Sequence, residues 1–175
     1  MQRTLCIVVS LAAVAALTVM PAVAGRGKGA AEKATGGLVI QEHNGREAKV
    51  EFNAHEQRGA GQKAGDKAKG ALTWSLLNAD GEVIRNIVLD VSIVKVDGDT
   101  AWFAGEAVED SNDDAKVGDW LYVMVIDYGT PGTNGDTIGW KWVGTLAAAQ
   151  MAVDNEDDDV NDKPILEGNL VVHTK

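Results

Sequence analysis

From residue 37 onward, apolar side chains recur at every second position, the period of a β-strand with one buried face. Ala48, Val50, Phe52 and Ala54 alternate with Lys49, Glu51 and Asn53. Leu72, Trp74 and Leu76 form a second such face, and Ile138, Trp140 and Trp142 a third. Turn residues separate the runs. Asn44-Gly45 joins strands expected over 37–42 and 47–55, because both central residues of a type I′ hairpin need positive φ. Ala79-Asp80-Gly81 and Asp97-Gly98-Asp99 mark further tight turns, and 129–135 is rich in Gly and Pro. Between 57 and 69 runs a Gly/Ala/Lys loop.

Two segments break the simple alternation, and each break is informative. Val83 to Val96 is long for one strand, and its apolar face shifts from odd positions (Val83, Ile87, Leu89, Val91, Ile93) to even ones (Val94, Val96). One slip in a period of two is the mark of a β-bulge, expected near Ile93–Lys95. Trp120 to Tyr128 is apolar at odd and even positions alike, so it is the strand expected to be covered on both sides. A further strand runs from Thr100 to Val108, an acidic loop covers 109–118, and the last strand spans Ile165 to His173. Leu146 to Val153, with its run of good helix formers, is the one expected helix. About eight strands joined by short turns predict an all-β antiparallel barrel with one short helix before the last strand. A two-sheet β-sandwich has the same periodicity and is the alternative.

The start of the chain has a different pattern. Met1-Gln2-Arg3 precedes an apolar run from Ile7 to Met20, and Ala22-Val23-Ala24 fits a small-residue cleavage site, so 1–24 reads as an export signal. The run is shorter than the roughly 20 apolar residues a membrane-spanning helix needs. Residues 25–35 read as a flexible leader and 36–175 as a single domain. Cys6, the one cysteine, lies in the signal, so the exported chain is expected to fold without a disulfide. These features predict a secreted or periplasmic protein with no integral membrane segment after processing.

Charge narrows the partners. The chain carries 26 acidic against 16 basic residues, a net charge of −10, with the acidic excess concentrated beyond residue 70. Such a field repels nucleic acid and anionic lipid. A surface polymer, a protein partner or self-association of a basic end with an acidic end are the partners that remain. Charges interspersed within the strands also argue against an outer-membrane barrel.

Few residues suggest chemistry. Asp154, Asp157, Asp159, Asn161 and Asp162 form the densest oxygen-rich stretch, and calcium, which takes six to eight oxygens, is the cofactor such a loop could hold. The spacing is not that of an EF-hand, and a solvated acidic loop is the competing reading. Glu109-Asp110 with Asp113-Asp114 is a weaker version. Asp127 and Asp136 flank the Gly/Pro turn, where they either accept from nearby amides or share a cation. Trp140 and Trp142 share one face, as core or as a stacking platform for sugars. A histidine metal site would need His55 and His173 to meet. Ser75, Ser92 and Ser111 lie in no nucleophile-elbow context, and 59–70 lacks the spacing of a phosphate-binding loop. No catalytic residue is predicted.

Several stretches taken in order carry a family resemblance: Lys69-Gly70-Ala71-Leu72, Ala101-Trp102-Phe103-Ala104-Gly105, Val125 to Gly132 followed by Asp136, and Leu166-Glu167-Gly168-Asn169-Leu170. Together they resemble the post-COAP domain of exported bacterial proteins, over about residues 35–175. The resemblance implies a secreted β domain and carries no catalytic residues. The acidic stretch 154–162 and the Ala-rich segment before it depart from that pattern. The function expected is a non-catalytic binding or structural role at the cell surface, in the periplasm or in the extracellular matrix. The alternative is a carrier whose barrel holds a small apolar ligand, and an open cavity rather than a packed interior would favour it. A hydrolase is the remaining, less favoured reading.

Overall fold

A computed structural model describes residues 32–42, 45–56, 68–129 and 135–174. The export signal, most of the leader, His43 and Asn44 of the hairpin, the 57–67 loop and 130–134 of the Gly/Pro turn lie outside them. Eight antiparallel strands follow one another around a closed barrel: β1 (Lys33–Gln41), β2 (Glu47–Glu56), β3 (Ala68–Leu77), β4 (Val83–Asp97), β5 (Thr100–Asp110), β6 (Trp120–Ile126), β7 (Thr137–Trp142) and β8 (Lys163–His173). Helix α1 (Leu146–Asp154) precedes the last strand. The barrel closes where β1 pairs with β8, from Lys33 opposite His173 to Ile40 opposite Ile165. Closure decides between barrel and sandwich.

The interior is apolar. Ala48, Val50, Phe52 and Ala54 of β2 point inward with Leu72 of β3 and Ile87, Leu89 and Val91 of β4, all nearly inaccessible to solvent. Phe52 and Phe103 stack with ring centroids 5.2 Å apart within this core. Outward positions such as Lys49, Glu51, Asp90 and Glu106 are exposed and charged. This is the reverse of a transmembrane barrel, whose apolar band faces lipid and whose interior is polar. Among the described residues, no helix is long and apolar enough to cross a membrane.

β6 is apolar on both faces because both are covered. Leu121, Val123 and Val125 belong to the barrel interior, while Tyr122 and Met124 face outward beneath α1. There they pack with Ile93, Trp102, Ala104, Ala149, Ala152 and Val153. Trp120, at the strand's start, is half-buried at the edge of this second core. Thr145 caps the helix, its hydroxyl accepting from the Ala148 amide at 3.2 Å, which satisfies one of the donors a helix start leaves unpaired.

Three of the differences from the sequence-based expectation have a common origin in pairing. β1 begins at Lys33, inside the stretch expected as a leader, since Ala34 to Gly37 are held by β2 on one side and β8 on the other. The small residues Gly36 and Gly37 hide the alternation there. The β4 irregularity falls between Val91 and Ile93, just ahead of the expected place. Its effect is the expected one: Val94 and Val96 return to the interior while Ile93 turns out to meet α1. β5 continues to Asp110, two residues into the stretch expected as an acidic loop.

Candidate functional site

The end of the barrel formed by the start of β4 and the ends of β1, β3, β5 and β7 carries a polar rim over an apolar cavity. Two bulges build the rim. In β5, inward positions are odd through Ala107, opposite Leu89; Val108 then has no partner, and Asp110 lies opposite Ile87. The extra residue switches parity and turns Asp110 inward. In β8, Gly168 pairs with Leu38 and Ile165 with Ile40, leaving Leu166 as the extra residue. Here the switch turns Lys163 inward, opposite Ile138. Bulges re-aim side chains in this way at functional sites.

Each re-aimed charge meets an opposite one. Arg85 of β4 donates from Nε to Asp110 Oδ1 at 3.0 Å and from Nη2 to Oδ2 at 2.7 Å, a bidentate pair. The Asp110 side chain is fully buried, and the Asn112 amide also donates to its Oδ1 at 3.0 Å. The hydrogen bonds from Arg85 hold the Asp110 carboxyl below the usual carboxylate range despite its burial. Lys163 donates to Glu42 Oε2, and Glu42 Oε1 accepts from Trp74 Nε1 at 3.1 Å. Lys163 Nζ also stands 3.9 Å from the centroid of the Trp140 ring, and Lys116 Nζ 4.8 Å from that of Trp142. Cations over indole faces are attracted by the ring quadrupole.

Beneath this rim lies a cavity of about 110 Å³. Its walls are the aliphatic side chains of Val50, Leu72, Ile87, Leu121, Val123 and Ile138, together with Trp74, Trp140 and Trp142. Among the described residues, Arg85 and Lys116 are its charged wall residues and no carboxylate lines it. An apolar cavity of about 150 Å³ elsewhere admits benzene, so a single small ring is the upper limit of what this smaller one could enclose. Both cations are part-exposed, which puts the cavity's polar edge on the solvent side.

The residues expected to bind calcium sit elsewhere, at the end of α1 and on its connection to β8. Asp157 accepts from Lys141 at 2.6 Å through Oδ2 and from the Asp159 amide at 3.0 Å through Oδ1. Lys141 holds the Asp157 carboxyl below its ordinary range. Asp154 accepts from Gln150 at 2.9 Å, and the Asp154 carbonyl accepts from Lys95 at 2.8 Å. Asp162 lies against Gly139, where burial and the neighbouring Asp158 push its carboxyl up. Asp154 thus pairs with Gln150 and Asp157 with Lys141, while Asp159, Asn161 and Asp162 follow toward β8. Among the described residues, no three His, Cys, Asp or Glu are grouped as metal ligands.

The remaining expectations resolve by position. Asp136 is buried and accepts from the Tyr128 amide at 3.0 Å, while Asp127 accepts from the amides of Gly129 at 2.8 Å and Val172 at 2.9 Å. Asp136 and Oδ1 of Asp127 thus serve amides beside the turn, while Oδ2 of Asp127 holds the Val172 amide of β8. His55 and His173 each lie opposite Lys33, one on either side of β1, so about two strand spacings, roughly 10 Å, separate their backbones. Trp140 and Trp142 face inward as wall residues of the cavity rather than outward as a platform.

Glu42, Arg85, Asp110 and Lys163 were missed as a group by the sequence pattern. A charged residue at an inward parity is the signal that finds Arg85, in step with Ile87 and Leu89. Asp110 and Lys163 are out of step until the bulges are known.

Fold and site together define a closed antiparallel meander barrel with an apolar cavity beneath a charged rim. No protein-family model, curated protein or solved structure matches the chain.

Proposed function

We propose that this chain is an exported, non-catalytic binding barrel that holds a small apolar molecule in the cavity at its charged mouth. One observation carries the reading: an apolar, tryptophan-walled cavity of about 110 Å³ inside the barrel, with its polar groups confined to one edge. Concave apolar sites with a few placed polar groups are the usual form of a small-ligand site. The export signal in the sequence and the charged outer surface are consistent with work outside the cytoplasm.

The state of the ionisable groups supports binding over catalysis. A general base works best with a pKa near the operating pH. Asp110 is held the other way by Arg85, and Glu42 is committed to Lys163 and Trp74.

Toluene provides a direct test. Three of the five tryptophans line the cavity, so occupancy should change the intrinsic emission and raise the melting temperature. Leu121→Phe places extra volume in the cavity and should abolish both responses while leaving the circular dichroism of a folded barrel. Equal responses in the native and filled proteins would overturn the reading.

A further inference from the structure

We infer that the ligand is a small carboxylic acid, a single ring or a short chain, bound with its apolar body in the cavity and its carboxylate between Arg85 and Lys116. This rests on the binding-barrel reading above and adds the ligand's chemical class. The polarity of the walls is one-sided: among the described residues, each charged group lining the cavity is a cation. The carboxylates that neutralise them stand behind, outside the walls, as Asp110 for Arg85 and Asp119 for Lys116.

Donor geometry points the same way. Asp110 takes Nε and Nη2 of Arg85, which fixes the guanidinium plane and leaves the Nη1 donors for another acceptor. Lys116 Nζ is 3.2 Å from Asp119 Oδ2, with both side chains more than 30% exposed. Such a pair is weak and exchanges readily for a ligand carboxylate. An oxygen acceptor from the ligand would be satisfied by charged donors, and its ring or chain would lie against Trp74, Trp140 and Trp142. A cationic ligand would meet two like charges on entry, and a fully apolar one would leave those donors to water alone.

Benzoate and benzamide separate the possibilities, having nearly the same shape and differing in charge. Calorimetric titration of the full-length protein at low salt should show benzoate binding about tenfold or more tightly than benzamide, as charge-assisted hydrogen bonds are stronger than neutral ones. That ratio should shrink in 0.5 M NaCl. In Lys116→Met, and in the charge-neutral pair Arg85→Gln with Asp110→Asn, the ratio should fall toward one. The double substitution avoids stranding a buried carboxylate, and the single one alters a part-exposed side chain, so at least one folded variant is available. Equal binding of benzoate and benzamide to the native protein would overturn the acid and leave the apolar cavity standing. A preference for benzoate unchanged in both variants would place the carboxylate elsewhere and overturn the assignment. Failure of benzoate, benzamide and toluene alike to bind would overturn the binding barrel and the inference with it.

Discussion

Arg85 and Asp110 show how much one pair can decide. The carboxylate is buried and the guanidinium only part-exposed, so removing the cation strands a charge inside the barrel mouth. Arg85→Met should cost about 3 kcal/mol of unfolding free energy at neutral pH. Asp110 has its carboxyl depressed in the folded state by Arg85. A depressed carboxylate contributes stability that is fully present above its unfolded pKa, about 3.9, and is lost as pH falls through the lower folded value. Urea titrations should therefore show a native–variant gap that is full at pH 7 and narrows as the pH falls toward 2. A gap of equal size at both pH values would mean that Arg85 acts through packing alone. Glycines matter at the same scale. A Cβ on Gly139 would stand 2.6 Å from Asp162 Oδ1 and 2.7 Å from Val160 Cγ2, so this position keeps the α1–β8 connection close against β7.

At the scale of elements, α1 and the acidic connection after it act as a cover on the outside of β4, β5 and β6. The helix contributes Ala149, Ala152 and Val153 to the outer core. The connection is then fastened by Tyr122 Oη donating to the Asp157 carbonyl at 2.5 Å, by Lys141 to Asp157, and by Lys95 to Glu156 at 2.8 Å. Burial and the adjacent carboxylates push the Tyr122 phenol up, so it remains a donor across the working pH range. Ala149→Asp would place an unpaired charge under the helix and should release this cover, because burying a lone carboxylate costs more than detaching one nine-residue helix. Hydrogen exchange should then show lost protection over 146–162 with β1–β3 still protected. Loss of protection throughout would show that barrel and cover unfold as one unit. The bulges are also element-scale devices, since each displaces one strand's pattern by a residue and thereby supplies the mouth with its charges.

The whole molecule depends on closure. Gly168 lies on β8 with φ +108°, and a Cβ there would come within 2.0 Å of the Gly37 carbonyl on β1. Gly168→Val combines a left-handed backbone with a clash across the closing seam, and strain of this kind costs about 1–3 kcal/mol before the clash is counted. It should lower the unfolding midpoint and expose β1 and β8 first to proteolysis. Val123→Asp, at 1% exposure on β6, should prevent folding altogether by burying an unpaired charge in the interior. A soluble variant with unchanged near-ultraviolet circular dichroism would contradict the assignment of β6 to the barrel interior. Within the closed barrel the Phe52–Phe103 stack lies next to the cavity, since Phe52 pairs with Leu72 and Phe103 with Val123 of its walls.

The sequence by itself determined the strands, their inward faces and the helix. Period-two burial is a local property, and alternation in β2 or doubled apolarity in β6 can be read without knowing any neighbour. It also announced the β4 bulge, because there the apolar residues themselves change parity. The start of β1 and the site were different matters. Ala34 to Gly37 become a strand only through partners on both sides. Asp110 and Lys163 face inward only because Val108 and Leu166 are extra residues relative to the strands beside them. In these two strands the re-aimed residues are charged, so the apolar pattern that betrays the β4 bulge does not reveal them. Likewise, the cations that meet the acidic connection, Lys95 and Lys141, lie on β4 and β7, distant from it in sequence. Local periodicity sets which residues form elements; register between distant strands sets which charges meet, and the mouth of this barrel is built from the second.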